Sequence, residues 1–452
     1  YQTRSEANRI KPRPIVPARG LIYDRNGRLL ADNVPAYRLE IVPEQVANLD
    51  ATLTGLGELV QLDPEDIKRF RETRRATRGF RPIPLKLRLD EAELARLAVN
   101  RHRFPGVEVV PYLTRRYPYG PLFSHIIGYV GRVDVADLEA MGDSRNAALT
   151  HIGKAGIERF HEARLRGEIG YEEIETNVEG RALGVVRRHD AKPGADLYLS
   201  VDARLQQAMV DAFEGKDGAA VAIDPATGEI LGMVSLPGYD PNLFINGISH
   251  KDWQALQGPS RPLFNRNVLG GFPPGSTIKP FMALAGLEYG LRTPQDRTLS
   301  TGEFFLPGQA RGYRDWRAGG HGAVDLRESL AQSVNTYYFK LALDLGVDRI
   351  DTFFQRLGFG EPTGIDLSGE ISGVRPSRAW KRRQLNAEWY PGDTVNAGIG
   401  QGFWVTSPLQ LAQGTAMIAN GGVRHRPHLV REFQAGFDQP RMPEPQPPGV
   451  RV

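Results

Sequence analysis

Gly270-Gly271-Phe272-Pro273-Pro274-Gly275-Ser276-Thr277-Ile278-Lys279-Pro280-Phe281 sets a hydroxyl and an amine three residues apart, directly after a rigid Pro-Pro-Gly turn. Residues at i and i+3 share a face of a helix, so Ser276 Oγ and Lys279 Nζ can meet. A serine hydroxyl is a poor nucleophile until a base takes its proton. Lys279 can be that base only when neutral, and burial and the positive end of a helix dipole both push it that way. The stretch reads as a serine acyl-transfer centre that uses lysine as its base. Pro280 is tolerated because it falls in the first helical turn. A lone Ser-x-x-Lys arises easily by chance on a helix surface, so the reading needs a second element.

That element is Ser333-Val334-Asn335, inside Leu330-Ala331-Gln332-Ser333-Val334-Asn335-Thr336-Tyr337-Tyr338-Phe339, at a helix or a helix–loop junction. A second hydroxyl, Ser333, can relay a proton between Lys279 and the leaving or attacking amine. The Asn335 amide can hold a peptide carbonyl of a substrate. Ser-x-Asn alone means nothing, since Ser144-Arg145-Asn146 has it as well. The pairing and order with Ser276 and Lys279 carry the weight.

The 452 residues exceed one ordinary core and imply two or three domains. With 40% hydrophobic and 24% charged residues the composition is globular. No apolar run of about 18 residues occurs, so no transmembrane helix is expected, and no signal-peptide pattern opens the chain. Beginning at Tyr1, it reads as a fragment of something longer. The absence of cysteine excludes disulfides, thiolate catalysis and cysteine-based zinc sites, and leaves the compartment open. A net charge of +4 and an isoelectric point near 9.1 suit an anionic membrane or polymer and a plain solvated surface equally. Basic patches with interleaved aromatics are missing, so nucleic acid is not an expected partner.

Along the chain, Pro17 to Ala31 reads as strand, Asn26-Gly27 turn, strand. Pro64 to Arg75, Asp90 to Asn100 and Gly153 to Arg166 read as helical, and Tyr171 to Val186 as extended. Ala191-Lys192-Pro193-Gly194 is the best linker, which puts the main boundary there. Beyond it come a strand from Asp196 to Val201, a helix capped by Asp202 and running to about Phe213, and a hairpin from Ala219 to Val234. The apolar strands of that hairpin imply a buried central sheet. Helices are expected after Ser276, from Leu326 to Leu345, from Asp348 to Leu357 and from Pro408 to Asn420, with an irregular Pro-rich tail from Gln439. Early strands followed by helices imply an α+β domain.

The two motifs together resemble the penicillin-binding, serine-transpeptidase superfamily, whose members share Ser-x-x-Lys, Ser-x-Asn and a later Lys-Thr/Ser-Gly. Arg19-Gly20-Leu21-Ile22-Tyr23-Asp24-Arg25-Asn26-Gly27, Arg116-Tyr117-Pro118 and Gly153-x-x-Gly156-x-Glu158 resemble the N-terminal pedestal of class B penicillin-binding proteins. Tyr239-Asp240-Pro241-Asn242, Gly398-Ile399-Gly400-Gln401-Gly402 and Thr406-Ser407-Pro408-Leu409-Gln410 resemble their transpeptidase domain. Arg261-Pro262-Leu263-Phe264-Asn265-Arg266, Tyr313-Arg314-Asp315-Trp316 and Gly320-His321-Gly322 point to the elongation-type branch. The resemblance covers nearly the whole chain.

It implies residues 1–192 as a non-catalytic, dimerisation-type pedestal of elongated mixed α/β structure. Residues 193–452 would form an α+β transpeptidase domain, an antiparallel sheet flanked by helices and lacking its C-terminal part. Ser276 would attack the D-Ala-D-Ala bond of a peptidoglycan stem peptide and pass the acyl group to a neighbouring stem's amine. β-Lactams would acylate the same serine, and the Ser276 N–H would supply half of an oxyanion hole. No cofactor is implied. The partners implied are stem peptides, a SEDS-type glycosyltransferase such as RodA, and MreC, at the periplasmic face of a bacterial inner membrane. The membrane contact would run through an N-terminal anchor absent from this chain.

One departure stands out: no lysine is followed by Thr-Gly or Ser-Gly. In relatives that motif lies on an edge strand beyond the point where this chain stops, so a shortened C-terminus and an inactive fragment are expected. A non-catalytic cell-wall scaffold or β-lactam sensor is the alternative. A β-lactamase is a third reading, disfavoured by the long N-terminal module. His161-Glu162 starts like a zinc-protease helix, but Leu165 stands where the second histidine would be, so a surface helix is expected. Some relatives hold zinc near Asp315 and His321 with Asp, His and Cys. With Val334 and no cysteine, a structural loop without metal is expected here. Gly358-Phe359-Gly360 lacks the strand–helix context of a nucleotide site.

Overall fold

The computed structural model describes residues 10–76, 82–142, 149–177 and 182–452. Ser144-Arg145-Asn146 and part of the stretch from Tyr171 to Val186 lie outside them. Contacts divide the chain into two units. One comprises residues 1–198, 239–257 and 432–443, the other 199–238, 258–431 and 444–452.

The first unit is built on a long strand, Leu29–Ile41, which pairs antiparallel with Val107–Arg116 from Asp32↔Arg116 to Ile41↔Val107. The strand is reached by the expected turn. Asp24 Oδ1 accepts from the N–H groups of Asn26 and Arg28, each at 2.8 Å, and Ile22–Tyr23 then pairs with Leu29 and Ala31. The sheet runs Met442–Pro443, Val430–Gln434, Asp196–Leu199, Ile22–Tyr23, Leu29–Ile41, Ile83–Lys86. A three-stranded sheet joins Ile10–Ile15, Gly170–Thr176 and Ala182–His189. The core buries Leu39 and Ile41 against Leu53, Leu56, Phe70, Leu97 and Phe104. Its helices Leu49–Gly57 and Glu91–Asn100 begin at side-chain caps, Asn48 and the Asp90/Glu93 capping box.

Three of the quoted motifs meet in this unit. Glu158 is fully buried and takes Arg115 Nε at 2.7 Å and Tyr117 Oη at 3.2 Å on one oxygen, and Arg19 Nε at 2.7 Å on the other. Burial opposes its charge, but Arg115 and Arg19 outweigh that and hold the carboxyl below its usual range. Glu162 joins the cluster through Arg19, at 2.7 Å, and accepts from Gly153 N at 2.8 Å. The pair His161-Glu162 is therefore half-buried structural material, not the plain surface helix expected: the helix breaks at His161 and Glu162 turns inward to a guanidinium.

The second unit carries the helices Lys279–Glu288, Asn335–Arg356, Pro391–Ala397 and Pro408–Ala419 around one core. Ile278, Phe281, Met282, Tyr338, Leu341, Phe354 and Trp404 are buried in it. At about 1.5–3 kcal/mol for each fully buried large side chain, this packing fixes the first two helices against each other.

Three expectations are corrected here. The helix from Leu326 to Leu345 is two helices, Leu326–Ala331 and Asn335–Arg356, because Ser333 takes a left-handed φ of 52°. The second continues through a kink at Gly346 into the helix expected from Asp348. The hairpin Gly218–Ile223/Ile230–Leu236 is a two-stranded sheet among the described residues, and its first strand is only half-buried, so apolar content overstated its burial. The tail also pairs briefly: Val450–Arg451 lies antiparallel to Val423–Arg424.

Candidate active site

The turn bearing Ser276 is a short 3-10 helix, Gly275–Ile278, that runs straight into Lys279–Glu288. In a 3-10 turn, side chains at i and i+3 eclipse, so Ser276 and Lys279 lie on one line. Ser276 is exposed and Lys279 is buried. Pro280 sits in the first turn, as expected.

The turn is held from outside. Gly275 N–H donates to Gly400 O at 2.9 Å, and Phe272 and Thr406 exchange two backbone hydrogen bonds at 3.0 and 2.9 Å. Gly400 has φ 72°, and a Cβ there would stand 2.1 Å from Gly275 O. Only glycine fits.

Lys279 reaches across to the break between the two helices. Its Nζ donates to Ser333 O at 2.8 Å, Ser333 Oγ at 3.1 Å and Asn335 Oδ1 at 2.7 Å. The Tyr338 ring centroid lies 5.4 Å from the same nitrogen. The Ser276 hydroxyl is not among these hydrogen-bond partners within the described residues. An ammonium spends its three protons on three acceptors; a neutral amine has a lone pair to turn on the serine. Burial drives Lys279 from 10.5 down to about 8, with the negative charge of Asp315 working the other way.

Asn335 is oriented from both sides, because its Nδ2 donates to Arg314 O at 3.3 Å. Beyond Arg314 lies an open cleft of about 1010 Å³, lined in part by Phe305, Arg311, Tyr313 and Asn396. Ser333 and Asn335 thus lie on the Lys279 amine, and Ser276 stands one turn before it. Sequence reading gave no catalytic weight to Asp315, which is buried and lies under the Asn335 helix. It sat in a quoted motif, but nothing local marks a carboxylate as serving a helix that starts 20 residues later. His321 Nε2 lies 3.5 Å from Asp315 Oδ1. Among the described residues no group of three or more His, Cys, Asp or Glu could hold a metal ion.

Comparison with known proteins adds two family models. Residues 14–199 match the penicillin-binding protein dimerisation domain and residues 218–451 the penicillin-binding protein transpeptidase domain. The chain is a class B penicillin-binding protein. This penicillin-binding protein is 43% identical over 455 residues to the peptidoglycan D,D-transpeptidase MrdA of Escherichia coli K12, an alignment covering 100% of this chain and 72% of that protein. It is 40% identical to MrdA of Haemophilus influenzae, covering 97% of this chain and 68% of that one. Among solved structures, it resembles Helicobacter pylori PBP2 in its complex with MreC, with TM-score 0.81, 30% identity, and coverage of 96% and 81%. Pseudomonas aeruginosa PBP2 in complex with WCK 5153 gives TM-score 0.72 and 36% identity, covering 97% and 76%. The α+β fold class, with its mixed α/β N-terminal part, and the family read from the motifs both stand.

Proposed function

We propose that this penicillin-binding protein is a peptidoglycan D,D-transpeptidase of cell elongation, with Ser276 as its nucleophile. The observation that carries the residue assignment is the buried Lys279 amine, bound to Ser333 and Asn335 and aligned with an exposed Ser276. Neutral Lys279 takes the Ser276 proton as Oγ attacks the carbonyl carbon of the penultimate D-Ala. The oxyanion is met by the Ser276 N–H. As the tetrahedral intermediate collapses, the C–N bond breaks and the proton passes from Lys279 through Ser333 to the leaving D-Ala. The acceptor amine then attacks the ester and returns its proton along the same path to Ser276 Oγ. The Asn335 amide holds a stem-peptide carbonyl during both steps. No step calls for a cofactor.

A β-lactam acylates Ser276 by the same attack; its ring C–N bond breaks and the nitrogen takes the proton, but it stays tethered to the acyl group and cannot leave. The pedestal, residues 1–192, engages MreC, and a SEDS glycosyltransferase such as RodA makes the glycan that residues 193–452 cross-link. The protein works at the periplasmic face of the inner membrane, held by an anchor outside this chain. A Helicobacter pylori relative in complex with MreC supports the first contact.

Labelling of the full-length protein with a fluorescent penicillin tests the reading. Wild type is expected to form a stable adduct and Ser276→Ala none. Retained labelling in Ser276→Ala, or no labelling of wild type, would leave the scaffold reading in its place.

A further inference from the structure

The Asn335 helix starts without a cap of its own. Its N-cap residue is Val334, whose side chain can accept nothing, and the first N–H groups of a helix need acceptors from elsewhere. Asp315, in the loop after Tyr313–Arg314, provides them. Oδ1 accepts from Asn335 N at 3.2 Å, and Oδ2 from Thr336 N at 3.0 Å and Thr336 Oγ1 at 2.9 Å. Ser300 Oγ approaches Oδ2 at 3.3 Å, and Trp316 N binds Oδ1 at 3.0 Å. Burial opposes the carboxylate, but the N–H groups of Thr336 and Asn335 and the Thr336 hydroxyl hold its pKa below the usual range. It therefore stays charged at neutral pH, aimed at the positive end of the helix that carries Asn335.

We infer that Asp315 is a positioning residue for acylation: it clamps the start of the Asn335 helix so that Ser333 and Asn335 stay on Lys279, and its charge steadies the ammonium formed when Lys279 takes a proton. This rests on the catalytic reading above. Two consequences follow from geometry and charge together. Without the clamp, Ser333, already at φ 52°, loses the anchor immediately after it. Without the charge, the protonated lysine loses the counter-charge of Asp315, while burial, which favours the neutral amine, remains. Among the described residues, other ionisable groups near this point are the Tyr338 phenol, whose ring stands 5.4 Å from Lys279 Nζ, His321, 3.5 Å from Asp315, and Arg314, which pairs with Glu303 at 3.0 Å.

The test is the rate of acylation of the full-length protein by a fluorescent penicillin, followed from pH 6 to pH 10. Asp315→Asn keeps the shape and removes the charge. It is expected to lower the plateau rate at least tenfold and to move the midpoint of the profile to lower pH. Thr336→Val, which leaves the charge, is expected to lower the plateau severalfold with the midpoint in place. It serves as the readout should Asp315→Asn not fold. A plateau and midpoint equal to wild type in Asp315→Asn, or an unchanged plateau in Thr336→Val, overturns the inference. So does an Asp315→Asn protein that melts earlier but keeps the wild-type midpoint, since that marks a structural cap only. Ser276→Ala is run alongside: if it still labels, the catalytic reading itself has failed, whatever Asp315 does.

Discussion

In the proposed mechanism Lys279 is the residue on which the chemistry turns, because it must be neutral to act and is charged by default. Burial brings it to about 8, so near pH 7 about a tenth of the molecules carry the free amine. The acylation rate should therefore climb about tenfold between pH 6 and 7, climb less steeply above that, and level off beyond about 8. A profile flat from pH 6 to 9 would reject lysine as the base. Lys279→Arg keeps the charge but cannot release a proton, and labelling should be slower by about 10³-fold. The sign of the stability effect follows as well. The folded value lies below the unfolded one, so the unfolded state binds the extra proton between about 8 and 10.5, and this group destabilises the fold most below pH 8. Ser276 and Lys279 were legible in the sequence because their relation is local, three residues along one turn. Asp315 was not, because its relation to Asn335 exists only after a loop folds back on a helix start.

At the scale of elements, the active-site turn is only as well placed as its supports. Gly400→Ala would set a methyl group 2.1 Å from Gly275 O and strain a φ of 72°. The strain is of order 1–3 kcal/mol, and the chain must also move to relieve the clash. Acylation should slow at least tenfold while circular dichroism stays helical; a wild-type rate would show that the clamp is dispensable. Gly398-Ile399-Gly400-Gln401-Gly402 could be matched to relatives from the sequence, but its task could not be read, since it depends on which carbonyl comes near. The helix ends show the same limit. Apolar spacing continues through Leu330 and Val334, so the sequence could not decide between a continuous helix and the break at Ser333 on which the Lys279 contacts depend.

For the whole molecule, the two units each carry a core and a charged or catalytic cluster of their own. Glu158→Ala would leave the Arg19 and Arg115 guanidiniums without their shared carboxylate, a change that costs about 3–5 kcal/mol when the charges are buried. Calorimetry should show one transition lowered in this variant, and a different one raised when wild type is acylated at Ser276. If one transition responds to both, the units unfold together. The α+β content was readable from the order of strand and helix signals, but the interleaving of the chain between its two units was not. Pairing across more than 200 positions leaves no periodic trace. That interleaving bears on synthesis. The strand Asp196–Leu199 lies beside Val430–Gln434 in the finished sheet, so it leaves the ribosome long before its neighbour exists. Until then it presents a bare edge of unpaired amides and carbonyls, a template for pairing with the wrong chain. The first unit to be made is thus among the last to be completed, because its sheet waits for a strand more than 200 positions downstream.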